Sequence, residues 1–275
     1  MVGVAQLVEH LIVVQDVAGS SPVTHPIWTA PYFNSLPESL YSTNNFPKIR
    51  SRFMPRKPRF VYEGEPHHVT QRGNYQQNIL ENDEDFRKYS YLVAEYASKY
   101  GIKILAYCLM NNHVHFVVIP KTKVGFSLFF NIVHMRYSQY KNLHRKKKGH
   151  LWQGRFFSSV LDDKYLVAAV RYVELNPVRA GMVEKAWEYV WSSARAHVSN
   201  AWQDIIKVET SNKILRMSHK LTWKDYLYES SDKEDQDIRS KTIKGQVLGS
   251  DEFIDALEYK TGIILKIQKV GRPRK

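Results

Sequence analysis

Two histidines, His113 and His115, stand one residue apart in the apolar segment AYCLMNNHVHFVVIP. Side chains at positions i and i+2 of a β-strand point to the same face of a sheet, so these two imidazoles would lie side by side. A buried ring nitrogen needs a partner, and one transition-metal ion satisfies two neutral imidazoles at once. The spacing by itself is equally compatible with a metal-binding pair and with two hydrogen-bonded core histidines.

A tyrosine and an asparagine, Tyr172 and Asn176, are four residues apart in YVELNPVRAG and would share one face of a helix. The Tyr172 phenol is a candidate nucleophile, and the amide oxygen of Asn176 is a candidate third metal ligand. Without the histidines, the better explanation would be a surface aromatic and an asparagine that ends the helix before Pro177. Two rival tyrosines, Tyr137 and Tyr140, lack an Asn or Gln four residues later.

The elements that position these residues follow the order β-α-β-β-α-β and then a further helix, which is the ferredoxin-like pattern. We therefore expect an α+β fold with an antiparallel sheet, helices on one face, and the other face free for a ligand. Periodicity, caps and turn residues place the strands at HHVTQRG, 103–109, 113–119 and within 151–163, and the helices between Asn82 and Gly101, over 125–142, and over 163–181 with a break at Pro177.

The charge balance is strongly basic, with 40 Lys and Arg against 27 Asp and Glu and a formal net charge of +13. Such an excess is typical of proteins that bind nucleic acid, and solubility alone is the alternative. The single cysteine, Cys108, excludes an internal disulfide framework and a Cys-rich zinc site, and it fits a reducing compartment. No apolar run approaches the ~20 residues of a membrane span, so we expect a cytoplasmic protein without a membrane partner.

Four segments in this order, HVTQRGN, YCLMNNHVHFVV, GHLWQGRF and YVELNPVRAG, resemble the single-tyrosine HUH transposases of the insertion-sequence transposase superfamily, and most of all the REP-associated tyrosine transposases. The resemblance covers about Met54 to Ala196. The family pattern of histidine, bulky apolar residue and histidine on the central strand corresponds here to His113, Val114 and His115. Asn111 stands where a proline is more usual in the family, which changes the rigidity of the turn.

The resemblance implies a metal-dependent tyrosine DNA transposase with an HUH endonuclease fold. Tyr172 would attack a phosphodiester of single-stranded or hairpin DNA, form a 5′-phosphotyrosine link and free a 3′-OH. A divalent cation, Mg²⁺ or Mn²⁺, held by His113, His115 and Asn176 would polarise the phosphate. The protein would be bacterial and nucleoid-associated. Because the family includes both monomers and domain-swapped dimers, a homodimer is one of the states that the resemblance allows.

The candidate DNA-binding residues are amide and basic side chains at the end of the first strand, in the charged run HRKKKGH, near the third helix and in the AT-hook-like ending GRPRK. For the charged run the alternative is a solvated loop, and for the ending it is an unstructured basic tail. The candidates for base contacts are Gln71, Arg72 and Asn74. Those for phosphate contacts are Arg145, Lys146, Lys147, Lys148, Arg155 and Arg179, with Arg272 for the minor groove.

We predict three regions along the chain. Residues 1–53 are expected to be a disordered leader, and because GVAQLVEH and GSSP can be encoded by sequences like the D-arm and T-arm of a tRNA gene, we hypothesise a spurious upstream translation with a native start at Met54. A genuine disordered arm is the alternative. Residues 54–199 are the predicted catalytic domain. Residues 200–275 are predicted to be a small basic DNA-binding appendage, with a charged linker at SSDKEDQDIRSK and one helix between Ser250 and Gly262.

Two other functions remain open at this stage. A non-catalytic nucleic-acid-binding protein or repressor on the same fold would share the basic surface but would never become covalently attached to DNA. An RRM-type binder would carry stacking aromatics where the strand HVHFVV carries histidines, which argues against that variant. A metal hydrolase would need an acid or a water-activating base near the histidines, and the sequence offers no evident one.

Overall fold

The computed structural model describes residues 59–199, 204–209, 222–229 and 232–266, and these belong to one unit that begins at Arg59. The predictions for residues 1–53 and for Arg272 lie outside the described residues. The four strands are β1 (His67–Arg72), β2 (Ile102–Leu109), β3 (His113–Pro120) and β4 (Phe157–Val160). The helices are α1 (Asp83–Tyr100), α2 (Lys123–His144), α3 (Asp163–Glu174), α4 (Asn176–Arg179), α5 (Ala194–Val198), α6 (Trp223–Tyr226), α7 (Asp232–Lys244) and α8 (Asp251–Thr261).

The strands form one sheet in the order β2-β3-β1-β4, and all three neighbouring pairs are antiparallel. With α1 between β1 and β2 and α2 between β3 and β4, this is the ferredoxin-like topology, which confirms the predicted fold class. The strands β1 and β3, which carry buried histidines, lie at the centre of the sheet.

One face of the sheet is covered by α1 and α2. Asn82 caps the start of α1 by accepting a hydrogen bond from the Asp85 N–H, and Gly101 ends the helix with φ 65°. The core on this face is rich in aromatic rings, including Tyr89, Phe116 and Phe126, all with 0% exposure. Because this packing uses every second residue of each strand, the alternate residues are left to the opposite face.

The opposite face is also covered, which differs from the expected open face. The helix α3 contacts β2 and β3, and α7 contacts β4 and β1, so the two helices lie over the same side of the sheet. The core between them and the sheet is rich in small and aliphatic side chains, among them Ala106, Val117, Ala168 and Ile238, with a few aromatic rings at its edge such as Tyr172. Small residues allow the helices to approach the strands closely, and polar groups on this face are thereby buried.

The segment that forms α7 was predicted to be a charged linker, and the structure shows that this prediction is wrong. Only Ile238 and Thr242 of α7 are buried, so the hydrophobic periodicity is too sparse to indicate a helix. The acids of α7 instead pair with arginines of α3 and α4. Glu234 lies 2.9 Å from Arg171 of α3, and Asp235 lies 2.8 Å from Arg179 of α4. Tertiary contacts, and not local propensity, decide this helix.

Other local predictions agree with the structure. The break at Pro177 separates α3, which ends at Glu174, from the short α4, in which Pro177 occupies the first turn. The helix α8 begins after Ser250, whose side chain accepts from the Phe253 N–H, and it ends at Gly262 with φ 67°. No helix among the described residues has the length and apolar content needed to cross a membrane.

A buried carboxylate joins residues on both sides of the predicted boundary at residue 199. Glu174 has 0% exposure and accepts hydrogen bonds from Ser193 Oγ at 2.5 Å, His197 Nδ1 at 2.5 Å and Trp223 Nε1 at 2.8 Å. A buried charge is tolerated only when it is paired and hydrogen-bonded, so these three partners hold α3, α5 and α6 together. The division into 54–199 and 200–275 stays a prediction, and its described parts share a core.

We predict that the fold is acid-sensitive, because three fully buried histidines are neutral. Burial lowers the pKa of His67 to about 4, that of His68 to about 3 and that of His134 to about 3. The unfolded chain takes up these protons below pH ~6.5, while the folded chain does so only below pH ~4, so stability falls as the pH drops between these values. At pH 5 the loss is about 2 kcal/mol per histidine.

Urea unfolding at pH 7.5 and at pH 5.0 measures this loss. In His134→Gln the loss on acidification should be smaller by about 2 kcal/mol, whereas a substitution of the exposed His150 by Gln should leave it unchanged. Equal stability of the wild type at the two pH values would contradict the prediction.

Candidate active site

His113 and His115 lie on the sheet face covered by α3 and α7, with ring centroids 5.0 Å apart. His115 is buried and His113 is half-buried at the start of β3. Burial, with a smaller contribution from the charge of Arg72, lowers the pKa of His113 to about 4. Burial also lowers the pKa of His115 well below its ordinary value. Both imidazoles are therefore neutral near pH 7, which is the state that binds metal ions.

A third histidine, His68 on β1, completes a chain of hydrogen bonds behind His115. His68 Nε2 lies 3.0 Å from His115 Nδ1, and His68 Nδ1 lies 2.8 Å from the Oγ1 of Thr242 on α7. The His68 and His115 rings are nearly coplanar and meet edge to edge, with centroids 5.2 Å apart and an interplanar angle of 5°. We call this series the Thr242–His68–His115 chain.

The two candidate metal ligands use the same ring nitrogen for contacts within the protein. His115 Nδ1 belongs to the Thr242–His68–His115 chain, and His113 Nδ1 lies 2.6 Å from Asn112 Oδ1. An amide oxygen can only accept, so His113 Nδ1 carries the proton. The Nε2 of each ring is the nitrogen left for an external ligand, and a hydrogen bond at the other nitrogen is the usual support of a histidine that binds metal.

Tyr172 lies against the imidazoles from the side of α3. Its ring centroid is 5.7 Å from that of His115 and 5.7 Å from that of His68, and it is nearly perpendicular to both, at 85°. The Tyr172 side chain is buried at 8% exposure, and among the described residues none is hydrogen-bonded to its Oη. The structure thus brings the predicted nucleophile and the predicted metal ligand His115 into ring contact.

Arg179 lies over the Tyr172 ring, with its guanidinium carbon 4.4 Å from the ring centroid. It also donates to the Tyr172 carbonyl oxygen and to Asp235 Oδ2, the latter at 2.8 Å. Burial raises the pKa of the Tyr172 phenol, and the positive charges of Arg179 and Arg239 oppose this shift. Arg179 was predicted to contact phosphate, and the structure places it at the candidate nucleophile with its side chain 35% exposed.

Asn176 follows Tyr172 by one helical turn. Within the described part of the chain its side chain makes no hydrogen bond to the histidine rings. Its Nδ2 donates to the carbonyl oxygens of Tyr172 at 3.0 Å and Val173 at 3.1 Å. These bonds use the donor side of the amide and leave Oδ1 as the acceptor for another group. The prediction that Asn176 is the third ligand therefore rests on its position in the chain and on this free oxygen.

The rival tyrosines lie on the other side of the sheet. Tyr137 has 0% exposure and donates from Oη to the Ile79 carbonyl oxygen at 2.7 Å, and Tyr140 donates to Glu84 Oε1 at 3.1 Å. Both belong to α2, which packs on the aromatic core. The β-sheet thus separates them from His113 and His115.

The candidate base contacts at the end of β1 are placed differently from one another. Gln71 has 2% exposure, donates to the Gly154 carbonyl oxygen and pairs with Val114, so it faces the aromatic core and presents no surface to DNA. This burial leaves the predicted contact without structural support. Arg72 pairs with His113 and shares its face of the sheet. Asn74 is half-buried in the loop that follows, where its N–H donates to the Leu151 carbonyl oxygen.

The candidate phosphate contacts are mostly exposed. Lys146, Lys147, Lys148 and Arg155 are exposed side chains between α2 and β4. Arg145 is engaged within the protein, since its guanidinium donates to the Asn78 carbonyl oxygen at 2.5 Å and to Glu81 Oε1 at 2.7 Å. The four exposed cations are therefore better placed than Arg145 to meet a phosphate backbone.

The donor set fits a divalent cation that accepts both nitrogen and oxygen. Two neutral imidazoles with a supported Nδ1 and a free Nε2, together with an amide oxygen, are ligands for Mn²⁺ and, less readily, Mg²⁺. No group of three or more His, Cys, Asp or Glu residues in the described part of the chain could hold a metal ion, so a site here depends on a ligand such as Asn176.

Sequence reasoning missed His68 and Thr242. The strand pattern contained a signal for His68, because it precedes Thr70 by two residues and Thr70 pairs with His115, so that all three share one face. Thr242 is 174 residues away from His68 and belongs to a helix that the sequence did not predict, so no local pattern could have identified it.

The candidate site lies inside a segment that matches the model of a known protein family. Residues 61–176 match the family model described as Transposase IS200 like, an interval that contains both histidines and Tyr172 and ends at Asn176. Over residues 61–176 the chain is similar to the IS200-like transposase family. The resemblance drawn from the four sequence segments is thereby confirmed, on the part of the chain that carries the candidate site.

Individual relatives of the IS200-like region are distant. A REP-associated tyrosine transposase of Haemophilus influenzae is 25% identical over 103 residues, which are 33% of this chain and 58% of the relative, so the match spans less than two thirds of that protein. The solved structure of a REP-associated tyrosine transposase bound to a REP hairpin has 19% identity and a TM-score of 0.45, covering 57% of this chain and 92% of the other. A transposase of Deinococcus radiodurans has 14% identity and a TM-score of 0.29, covering 47% and 92%.

We predict that Thr242→Val destabilises the protein, because it replaces the hydroxyl with a methyl group of similar size and leaves His68 Nδ1 buried without a partner. The expected cost is about 1–3 kcal/mol of unfolding free energy, measured by urea denaturation at pH 7.5. Thr242→Ser keeps the hydroxyl and serves as the control. The ¹⁵N shifts of His115 should also show a more mixed tautomer in Thr242→Val; equal stability and equal shifts in the two variants would contradict the role of the chain.

Proposed function

We propose that this protein is a tyrosine transposase that cuts one strand of DNA and rejoins it through a 5′-phosphotyrosine intermediate. The observation that carries the proposal is the contact of the Tyr172 ring with His115, at 5.7 Å between centroids, inside the segment that matches the IS200-like family. The rival tyrosines lie on the other side of the sheet, which supports Tyr172 as the nucleophile.

Tyr172 Oη would form a bond to phosphorus while the bond from phosphorus to the 3′ oxygen breaks. The phenol proton is balanced by the proton that the released 3′-OH gains, so one phosphodiester is exchanged for another without water or ATP. A second 3′-OH then attacks the phosphotyrosine and restores the phenol. Burial raises the pKa of Tyr172 and so disfavours the phenolate that must develop during attack. The positive charge of Arg179 at its ring acts in the opposite direction and favours the phenolate.

We propose that His113 Nε2, His115 Nε2 and Asn176 Oδ1 hold a divalent cation, Mg²⁺ or Mn²⁺. A bound cation of this kind polarises a phosphate oxygen and stabilises the charge that develops in phosphoryl transfer. The residues of the chain do the rest: His68 and Asn112 orient the two imidazoles, and Asn176 Nδ2 anchors its own amide on the Tyr172 and Val173 carbonyl oxygens.

The proposed substrate class is single-stranded or hairpin DNA of the REP type. The support is the family, a curated relative that is REP-associated, and the exposed cations Lys146, Lys147, Lys148 and Arg155 beside a net charge of +13. We propose a bacterial, cytoplasmic and nucleoid-associated location on the same grounds.

A second function, non-catalytic binding of nucleic acid on the same fold, is favoured by one observation. Tyr172 has only 8% exposure, between the sheet and the covering elements, so a phosphate must gain access before attack. Binding through the basic surface requires no such access. Covalent attachment to DNA separates the two functions, because a binding protein never forms it.

We predict that Tyr172→Phe abolishes the covalent protein–DNA species while hairpin binding persists, since only the attacking oxygen is lost. A labelled hairpin oligonucleotide with Mn²⁺, followed by denaturing electrophoresis, measures the adduct. Tyr140→Phe is the control and should form the adduct at the wild-type rate. An adduct in Tyr172→Phe would assign the attack to another residue, and none in the wild type would favour the binding protein.

We predict that His113→Ala and His115→Ala each weaken Mn²⁺ binding at least tenfold, of the order seen when a supporting or ligating group is lost at a metal site. Calorimetric titration with Mn²⁺ and the adduct assay measure the two consequences, and chelation of the metal should abolish the adduct but not DNA binding. A substitution of the exposed His150 by Ala is the control. Wild-type Mn²⁺ affinity and cleavage in both variants would show that the pair is structural.

A further inference from the structure

The loop after β1 presents an aromatic ring almost entirely to solvent. Tyr75 is 93% exposed, and its backbone has φ 50° and ψ 29°, followed by Gln76 with φ 59°. This left-handed region is uncommon for residues other than glycine and costs free energy for an aromatic residue. Two consecutive strained residues that add nothing to the core indicate a functional constraint on the loop.

The loop is held in one conformation by hydrogen bonds on both sides of Tyr75. Asn74 N and Gln77 Nε2 both donate to the Leu151 carbonyl oxygen, at 2.8 and 3.1 Å, and Gln77 N donates to the Asn74 carbonyl oxygen at 3.0 Å. Gly73 cannot be replaced without displacement, because a Cβ there would lie 2.4 Å from the Gln77 carbonyl oxygen. The Tyr75 ring is therefore carried by an ordered and tightly packed backbone.

The loop begins beside the candidate metal ligands. Arg72 pairs with His113 across the sheet, and Gly73 N donates to the carbonyl oxygen of Asn112, whose side chain contacts His113 Nδ1. Tyr75 is two residues beyond Gly73, so their Cα atoms are at most about 7.6 Å apart. On the far side, Asn78 accepts from Arg145, the first residue of the basic run that continues through Lys148.

We propose that Tyr75 is a stacking platform for one unpaired base of the DNA strand that the basic run and Arg72 attract to the candidate site. This inference rests on the proposed function for its ligand, DNA. Aromatic side chains bind unpaired bases by stacking without strong sequence preference, and positive charges beside them follow the phosphate backbone. A ring on a rigid loop loses little conformational freedom on binding, which is the advantage that offsets the strained backbone.

Binding of a hairpin oligonucleotide with single-stranded flanks tests the proposal, in chelator so that cleavage plays no part. 2-Aminopurine is placed at each unpaired position in turn. We expect Tyr75→Ala to bind about tenfold more weakly and to lose the fluorescence quenching at one position, whereas Tyr75→Phe keeps both. The matched control is Tyr259→Ala, which removes an equally exposed ring, at 93%, from α8 and should bind as the wild type does.

An abasic nucleotide at the quenched position gives the decisive comparison. It should weaken binding by the wild type about tenfold and leave binding by Tyr75→Ala unchanged, because the ring and the base act as a pair. Tyr75→Gly should bind as weakly as Tyr75→Ala and yet melt at a higher temperature than the wild type, since glycine adopts positive φ without strain.

Three results would overturn the inference. If Tyr75→Ala binds the hairpin and quenches 2-aminopurine as the wild type does, the ring does not stack on DNA. If Tyr75→Ala changes the sedimentation of the protein without changing its DNA affinity, the ring belongs to a protein contact. Absence of hairpin binding by the wild type would also overturn it. Absence of a covalent adduct alone would refute cleavage while leaving Tyr75-dependent binding intact, so the two proposals fail separately.

Discussion

The hydrogen-bonded chain from Thr242 through His68 to His115 connects the covering helix α7 to the centre of the sheet. Each of its links is buried, so each polar atom must find its partner within the protein or lose the free energy of its solvation. The position of α7, the orientation of the His115 ring and the neutral state of both histidines are therefore set together. A change at any member is felt at the others, because all three side chains are buried and each is a hydrogen-bond partner of the next.

Charge pairing adds a second constraint on the same helices. Arg171 is 3% exposed, and two carboxylates compensate its buried charge, Glu234 at 2.9 Å and Glu229 at 3.9 Å, so α7 must lie where Glu234 reaches α3. Arg179 is shared between Asp235 and the ring of Tyr172. The carboxylate and the phenol thus compete for one guanidinium, and the ease with which the phenol ionises depends on how firmly Asp235 holds it.

The two faces of the sheet differ in the side chains that cover them. The face under α1 and α2 is filled by large aromatic rings, and their burial supplies the apolar contacts on which stability depends. The other face has small residues that admit α3 close to β2 and β3, and its polar groups meet at the histidines. Alternate residues of the same strands face opposite sides of the sheet. Only the sheet itself therefore separates the aromatic core from the histidines.

Features that depend on local spacing could be predicted from the sequence. The alternation of a strand placed His113 and His115 on one face, the helical turn placed Tyr172 and Asn176 together, and Asn82 with Gly101 bounded α1, because caps and periodicity act over a few residues. The family segments extended this to a predicted nucleophile and its predicted metal ligands. A choice between Tyr172 and the tyrosines of α2 rested there on spacing and resemblance.

The groups that meet across long sequence distances could not be predicted and follow from how the elements pack. Tertiary packing placed α2 on the opposite face from the histidines, made a helix of a charged segment that lacks a clear apolar stripe, and brought Thr242 to His68 across 174 residues. It also turned Gln71 into the core while Arg72 remained beside His113. The physical reason is that burial of a polar group is favourable only with its partner, and a partner supplied by a distant element has no local signature in the sequence.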